Sequence, residues 1–336
     1  MDAVVGPALA LLPVIVFLAA LVLIDSFKLI PLRRIVWAIV VGGVIAIVCY
    51  FFNPILQRVS GMTWTRYTCY LSPVLEETLK SLPVVWLIRS SRIAFMVDAL
   101  IYGFAIGAGF ALVENINAFT STSDRSMIVW VIRGFGTAIM HGGVTAIFGV
   151  VSQYYASRFG SRKSAVFLPG LVLAIGIHSF FNHFVVPAQF APVVIIVSLS
   201  IMVGITVRVS ERGTRRWLGV RFDTDQELLE MINTGRAAES RVGDYLESLR
   251  DRFPGEVVAD MLCMLRLHLE LSVRAKGILL MREAGFKTEP DPDVGEKLAE
   301  LKYLEKSIGR TGLLAISPML NMSEKELWQL HMVKGV

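Results

Sequence analysis

Charge is scarce in this sequence. Only 18% of its 336 residues are Asp, Glu, Lys or Arg, against 54% hydrophobic residues, and the mean hydropathy is +0.60. That balance excludes an ordinary soluble domain and indicates a polytopic membrane protein. Cysteine is scarce too. Cys49, Cys69 and Cys263 lie far apart with no CxxC pair, which excludes a disulfide framework and a zinc knuckle. There is no HExxH, no internal repeat and no low-complexity run. No basic residues precede the first apolar stretch, so it reads as a retained span and not as a cleavable signal peptide.

What is present is a series of long apolar segments. A transmembrane helix needs about 20 mostly apolar residues. Seven segments meet that description, at roughly 6–25, 35–52, 67–88, 95–119, 127–155, 165–186 and 191–208. The predicted fold is therefore all-α, a polytopic bundle over 1–208, followed by a cytoplasmic helical domain over 209–336. Charge supports the division. The first part carries a net +7 and the second −2. Nucleic acid is not an expected partner, because the basic excess sits in loops flanking apolar segments.

Those loops alternate in charge. One set holds Lys28, Arg33, Arg34, Arg89, Arg92, Arg158, Arg162, Lys163, Arg208, Arg212, Arg215 and Arg216; the other holds only Arg58, Arg66 and Arg125. The positive-inside rule then predicts a bacterial cytoplasmic membrane protein with its N-terminus outside and its C-terminal region in the cytoplasm. In that region Thr224 with Glu227 and Ser323 with Glu326 read as capping boxes, and Pro254 and Gly285 as a helix start and stop. "KTEPDPDVG" reads as a loop, and His268 as an ordinary residue of an amphipathic helix.

Ionisable groups inside a bilayer cost a few kcal/mol each on insertion scales, so each needs an explanation. They concentrate in four consecutive spans: Glu76, Glu77 and Lys80; then Glu114 and Asn115; then Arg133 and His141; then His178, Asn182 and His183. The first, second and seventh spans carry almost none. Counted inward from the outer ends at about 1.5 Å per residue, Glu76 lies about 14 Å deep, Glu114 about 8 Å, His178 about 12 Å and His141 about 21 Å, in a core of about 30 Å. That agreement predicts one shared cavity opening outward. Glu76 and Lys80 are spaced i,i+4, which predicts their pairing and turns Glu77 away. His178 and Asn182 share a face, as do Arg133, Thr137 and His141, and Arg133 is placed to neutralise Glu114. Gly103, Gly107, Gly109, Gly134, Gly136, Gly142 and Gly143 let helices approach closely around the site. Pro73 and Pro83 interrupt the third span. His183 is offset from His178 and reads as a local packing residue, and Asp98 as interfacial.

The motifs "EETLK" (Glu76, Glu77, Lys80), "FALVE" (Phe110, Glu114), an isolated His141 and "HSFFN" (His178, Asn182) occur in order on successive spans. Over residues 66–186 this resembles the PrsW family of intramembrane proteases, within the wider CAAX-protease and bacteriocin-processing superfamily. The second motif ends in Glu114, as in the PrsW branch, where the wider superfamily usually has FxxxH. The resemblance implies hydrolysis of a peptide bond in a single-pass, membrane-anchored protein near its extracytoplasmic side, in a stress response that acts through an anti-sigma factor. The lipid bilayer is the other expected partner.

The expected catalytic set is Glu76, Glu77, Glu114, His141, His178 and Asn182, with Lys80, Arg133 and Phe110 in support. Glu76 is the expected general base, helped by His141 or Glu114. Glu77 with Lys80 organises the site, and His178 and Asn182 donate to the oxyanion. Without an HExxH a glutamic-type, metal-free mechanism is the first expectation. Zn²⁺ held by Glu76, Glu114, His141 and His178 is the alternative. Two further readings of the same polar set stay open, a proton-coupled transporter or channel and a non-catalytic membrane scaffold. The region 209–336 either binds a cytoplasmic regulator or the substrate's cytoplasmic part, or only stabilises the protein.

Overall fold

The structure is a computed structural model that describes residues 2–25, 30–121, 126–286 and 293–320. Among these residues every regular element is helical. The chain divides into two compact units, Met1–Glu211 and Arg212–Val336.

In the first unit, helices α1 (Asp2–Ile24), α2 (Leu32–Ser60), α3 (Trp64–Arg89) and α4 (Met96–Ser121) follow one another. Next comes a rod made of α5 (Met127–Val131), a π-helical segment (Ile132–Ala138) and α6 (Ile139–Phe159). A 3₁₀ turn (Ser164–Phe167) leads into α7 (Leu168–Asn182), and α8 (Ala191–Asn233) follows. Helices thus occupy all seven expected segments. Five are long and apolar enough to cross a membrane: Leu32–Ser60, Met96–Phe119, Met127–Phe159, Ser164–Asn182 and Ala191–Asn233. The other two fall short for plain reasons. Ala8–Ile24 is a shorter apolar helix, and α3 carries Arg66, Glu76, Glu77 and Lys80 within its length.

The bundle is built around α4. Its residues 97–111 are buried without a break, as expected of a helix that is apolar all round and enclosed by its neighbours. It packs on α1, α2 and α6, and glycine permits the closest approach. A Cβ at Gly107 would lie 2.2 Å from the His141 carbonyl oxygen, so only glycine lets α4 sit that close to the turn of α6 bearing His141. Several boundaries differ from the sequence reading. Pro73 and Pro83 do not interrupt α3, which runs through both. α2 extends to Ser60 and brings Asn53 into the bundle. Asp98 is buried, 1% exposed, because its Oδ2 accepts from the backbone N–H groups of Ala94 and Phe95 at the start of α4.

Thr224 does not open a helix either. α8 continues to Asn233, since no proline stops it after the apolar stretch ends. In the second unit, α9 (Arg241–Leu249), α10 (Gly255–Glu283) and α11 (Asp293–Leu320) follow. Pro254 does precede α10, and Gly285 takes a left-handed φ of 84° just beyond it. α11 breaks at Gly309, where φ is 69°. Leu246, Met261, Leu265, Leu304 and Ile308 form this unit's apolar core. His268 departs from expectation: it is 5% exposed and shares a helical face with Ser272 and Lys276, both bonded to Asp225. The capping box at Ser323 and Glu326 and most of "KTEPDPDVG" lie outside the described residues.

Candidate active site

Helix α3 supplies the centre of the site. Three consecutive turns place Ser72, Glu76 and Lys80 one above another, and Glu77 lies beside them. The Ser72 hydroxyl donates to Glu76 Oε1 at 2.6 Å, and Asn53 Nδ2 donates to the same oxygen at 3.2 Å. Asn53 is held in turn by the Tyr67 hydroxyl, which donates to its Oδ1 at 2.8 Å. Glu76 Oε2 is left facing His178 Nε2, 3.9 Å away.

Lys80 pairs with Glu77, not Glu76. Its Nζ lies 2.5 Å from Glu77 Oε1, with both side chains sealed from solvent. The i,i+3 neighbour wins over the i,i+4 neighbour because Asn53 and Ser72 already hold Glu76, while α6 and α7 draw Glu77 inward. The same Glu77 Oε1 lies 2.7 Å from His178 Nδ1. A carboxylate accepts, so Nδ1 carries the proton and Nε2 presents its lone pair towards Glu76. His141 mirrors this arrangement. Its Nε2 lies 2.8 Å from Glu114 Oε2 and its Nδ1 3.1 Å from Lys80 Nζ. The ammonium can only donate, so Nδ1 accepts and Nε2–H points at Glu114.

The two imidazoles meet edge to face with centroids 4.9 Å apart. Phe110 packs on His141 at 4.9 Å and lies under the Lys80 ammonium at 4.7 Å, so its role is packing. Arg133 Nη2 reaches Glu114 Oε1 at 3.3 Å, as its position suggested. Arg133 Nε donates to Asn115 Oδ1, and Asn115 Nδ2 donates to the Ala10 carbonyl. Arg133 and Thr137 both lie in the π-helical segment, a departure from α-geometry of the kind that recurs at functional sites.

These groups line a cavity of about 910 Å³, walled by α2, α3, α4, the π-helical segment, α6 and α7. Its lining residues lie toward the ends of α2, α4 and α7 and the start of α3, nearer one end of the bundle. Glu76, Glu114, Arg133, His141, His178 and Asn182 all line it, as does Phe110. Glu77 and Lys80 lie behind that wall. Asn182 differs from the expected oxyanion donor in one respect. Its Nδ2 already donates to the Thr68 carbonyl at 2.9 Å, which ties α7 to the start of α3. His183 is exposed, bonded to Ser179 O and packed on Tyr70, a local role as expected.

Sequence reading missed Asn53, Tyr67 and Ser72. Ser72 had a signal, lying four residues before Glu76. Asn53 is an isolated polar residue in "YFFNPIL", one position past the expected end of its span. Nothing marked Tyr67.

The donor set suits a metal ion. Glu76, His141 and His178 each offer one ligand atom, all buried and all within 4.8 Å of one another. Two imidazoles and a carboxylate are a known catalytic zinc set. Each imidazole also bears an outer carboxylate, Glu77 on His178 and Glu114 on His141, the partners that usually fix such ligands. Glu114 is not among the three. With neutral imidazoles, three carboxylates face two fixed cations, and the surplus negative charge favours a cation.

No curated protein and no solved structure gave a match. A family model described as PrsW family intramembrane metalloprotease matches residues 30–208, a stretch that contains every residue of the site except Ala10, which contributes its backbone carbonyl. Since that match covers more than half of the chain, the protein belongs to the PrsW family and is an intramembrane protease.

Proposed function

We propose that this protein hydrolyses a peptide bond of a single-pass membrane protein near its extracytoplasmic face, with an anti-sigma-factor-like protein as substrate, and that Glu76, His141 and His178 hold a divalent metal ion such as Zn²⁺ for the reaction. The observation that carries this reading is the convergence of those three donors on the floor of a cavity open at one end of the bundle. The connection between α2 and α3, with only Arg58 and Arg66 near it, lies at that end, which supports an extracytoplasmic cut in a bacterial cytoplasmic membrane.

When bound, such an ion lowers the pKa of a water molecule and polarises the scissile carbonyl. The chain's own residues do the rest. Glu77 holds His178 with Nε2 inward, and Ser72 and Asn53 hold Glu76 with Oε2 inward. Both ring nitrogens of His141 have partners, so holding an ion through it displaces either Lys80 or Glu114. Glu114 Oε1, tied only by a 3.3 Å contact to Arg133, is placed to take a proton from water and return it to the leaving amine nitrogen. Arg133 lines the cavity and is the side-chain donor for the developing oxyanion.

The test compares membranes from wild-type and Glu76→Gln strains under envelope stress, reading new protein N-termini by mass spectrometry. Wild-type membranes are expected to contain N-termini from single-pass proteins, cut near the outer face, that fall at least a hundredfold in the variant. Identical profiles at equal protein levels would return the site to a transporter or a scaffold. Metal content is read on the same purified proteins. About one ion per chain in the wild type, lost in Glu76→Gln and kept in Glu114→Gln, is expected. A fully active wild type without metal would restore Glu76 as the direct base.

A further inference from the structure

A second cavity, of about 580 Å³, adjoins the first and shares Glu114, Arg133, Thr137, Asn182 and Phe184 with it. Apart from Ser198 on α8 its other walls are apolar: Val129 and Ile132 before and within the π-helical segment, Ile177 and Phe181 on α7, and Val194 and Ile195 on α8. The groove exists because α7 packs on α3 and α6 while its flank towards α8 has almost no close backbone contact. Its rim is exposed on the bundle's apolar side, with Phe180 53% and Val194 49% accessible. The groove therefore opens sideways, whereas the site cavity opens at the helix ends.

The wall between the two has its own character. Arg133 and Thr137 come from the π-helical segment. Phe184, in the connection from α7 to α8, holds a left-handed φ of 51°, a conformation that costs a non-glycine residue energy and tends to persist where function needs it. Away from the site the groove's polar side chain is Ser198, whose hydroxyl is taken up by the Val194 carbonyl of its own helix; its other polar groups lie where it meets the site. That gradient suits a polypeptide better than a lipid tail. A helix in a bilayer satisfies its own backbone, but exposing one peptide bond frees N–H and C=O groups that need partners. Glu114, Arg133, Thr137 and Asn182 offer them at the point where unwinding would occur.

We propose that this groove admits the apolar transmembrane segment of the protein substrate from the lipid side and delivers it past Arg133 and Phe184 to Glu76, His141 and His178. The inference rests on the protease reading above. It makes the π-helical segment, α7 and α8 a lateral portal, and the end-facing cavity the path for water and for the released fragment.

Val194→Trp and Ser198→Trp would fill the groove from α8. Both positions are exposed, and two separate variants keep the test intact should one fail to accumulate. Val40→Trp, on an exposed face of α2 away from both cavities, is the control. Wild-type membranes, Glu76→Gln membranes and the three tryptophan variants are compared for new N-termini from single-pass proteins. A short water-soluble peptide spanning the cut so identified is then assayed on the purified full chains. The expected result is at least a tenfold loss of membrane-protein cleavage in both groove variants, with wild-type cleavage of the soluble peptide and no change for Val40→Trp. Groove variants that cut membrane proteins as the wild type does would overturn the portal and leave the protease reading intact, with a lipid as the occupant. Equal loss on both substrates would show site damage and also overturn it. Wild-type and Glu76→Gln profiles that coincide would remove the protease reading and the portal together.

Discussion

Lys80 is fully buried inside an apolar bundle, so its partner decides whether the site can exist. Removing one member of a buried ion pair leaves an uncompensated charge and costs about 3–5 kcal/mol. Glu77 is the carboxylate within reach at 2.5 Å. With wild type and variants stripped of metal, Glu77→Gln should therefore lower the thermal unfolding temperature in lipid nanodiscs clearly, and Glu76→Gln should leave it near the wild-type value. Equal unfolding temperatures for wild type and Glu77→Gln would mean that the pair contributes nothing to the fold. The same contrast would separate roles: structure and orientation for Glu77, and the proposed chemistry for Glu76.

At the scale of elements, the site depends on how closely α4 and α6 approach. A methyl at Gly107 would collide with the His141 backbone carbonyl, and backbone cannot move aside as a flexible side chain can. The helices must separate, at an overpacking cost of about 1–3 kcal/mol. A shift of about 1 Å in a catalytic group can cost about a hundredfold in rate. Gly107→Ala is expected to lose at least tenfold in cleavage while remaining folded. Gly176→Ala, on α7 with nothing within 4 Å of the added methyl, should leave cleavage unchanged and stability equal or slightly higher. Comparing the two by N-terminal profiling and thermal unfolding checks the argument, and unimpaired cleavage by Gly107→Ala would count against it.

At the scale of the whole molecule, the Arg212–Val336 unit carries its own sensitivity to pH. His268 sits in the α10 polar row with its Nε2 buried and without a hydrogen-bond partner among the described residues. Burial depresses its pKa below the ordinary imidazole value, reinforced by Lys276 and opposed by Asp225. The folded state thus binds this proton less readily than the unfolded state. The resulting stability is present above the unfolded imidazole pKa of about 6.5 and is lost as pH falls below it. Amide exchange over residues 212–286 and 293–320 of the full chain should quicken between pH 7.5 and 5.5, and His268→Leu should blunt that change. Exchange independent of pH in the wild type would show that His268 does not limit this unit.

Sequence alone determined the all-α membrane class, the positions of seven helices and the residue types of the site. Apolar run length and the high cost of a charge in lipid are both local properties of a chain. The cluster of Glu76, Glu77, Glu114, His141 and His178 was legible because ionisable groups in apolar spans are so few. Partner choice was not legible. Spacing pointed to Glu76 as the partner of Lys80, although three and four residues along a helix are both neighbours, and the structure pairs Lys80 with Glu77 instead. Only the helices facing α3 settled it: Asn53 from α2 claimed Glu76, and His178 from α7 drew Glu77. The sparse backbone contact between α7 and α8 and the burial of His268 likewise arise from packing between segments distant in the chain. Tertiary structure alone decided these, because a side chain's partner is set by what lies across the interface, and the periodicity of one helix carries no record of its neighbours.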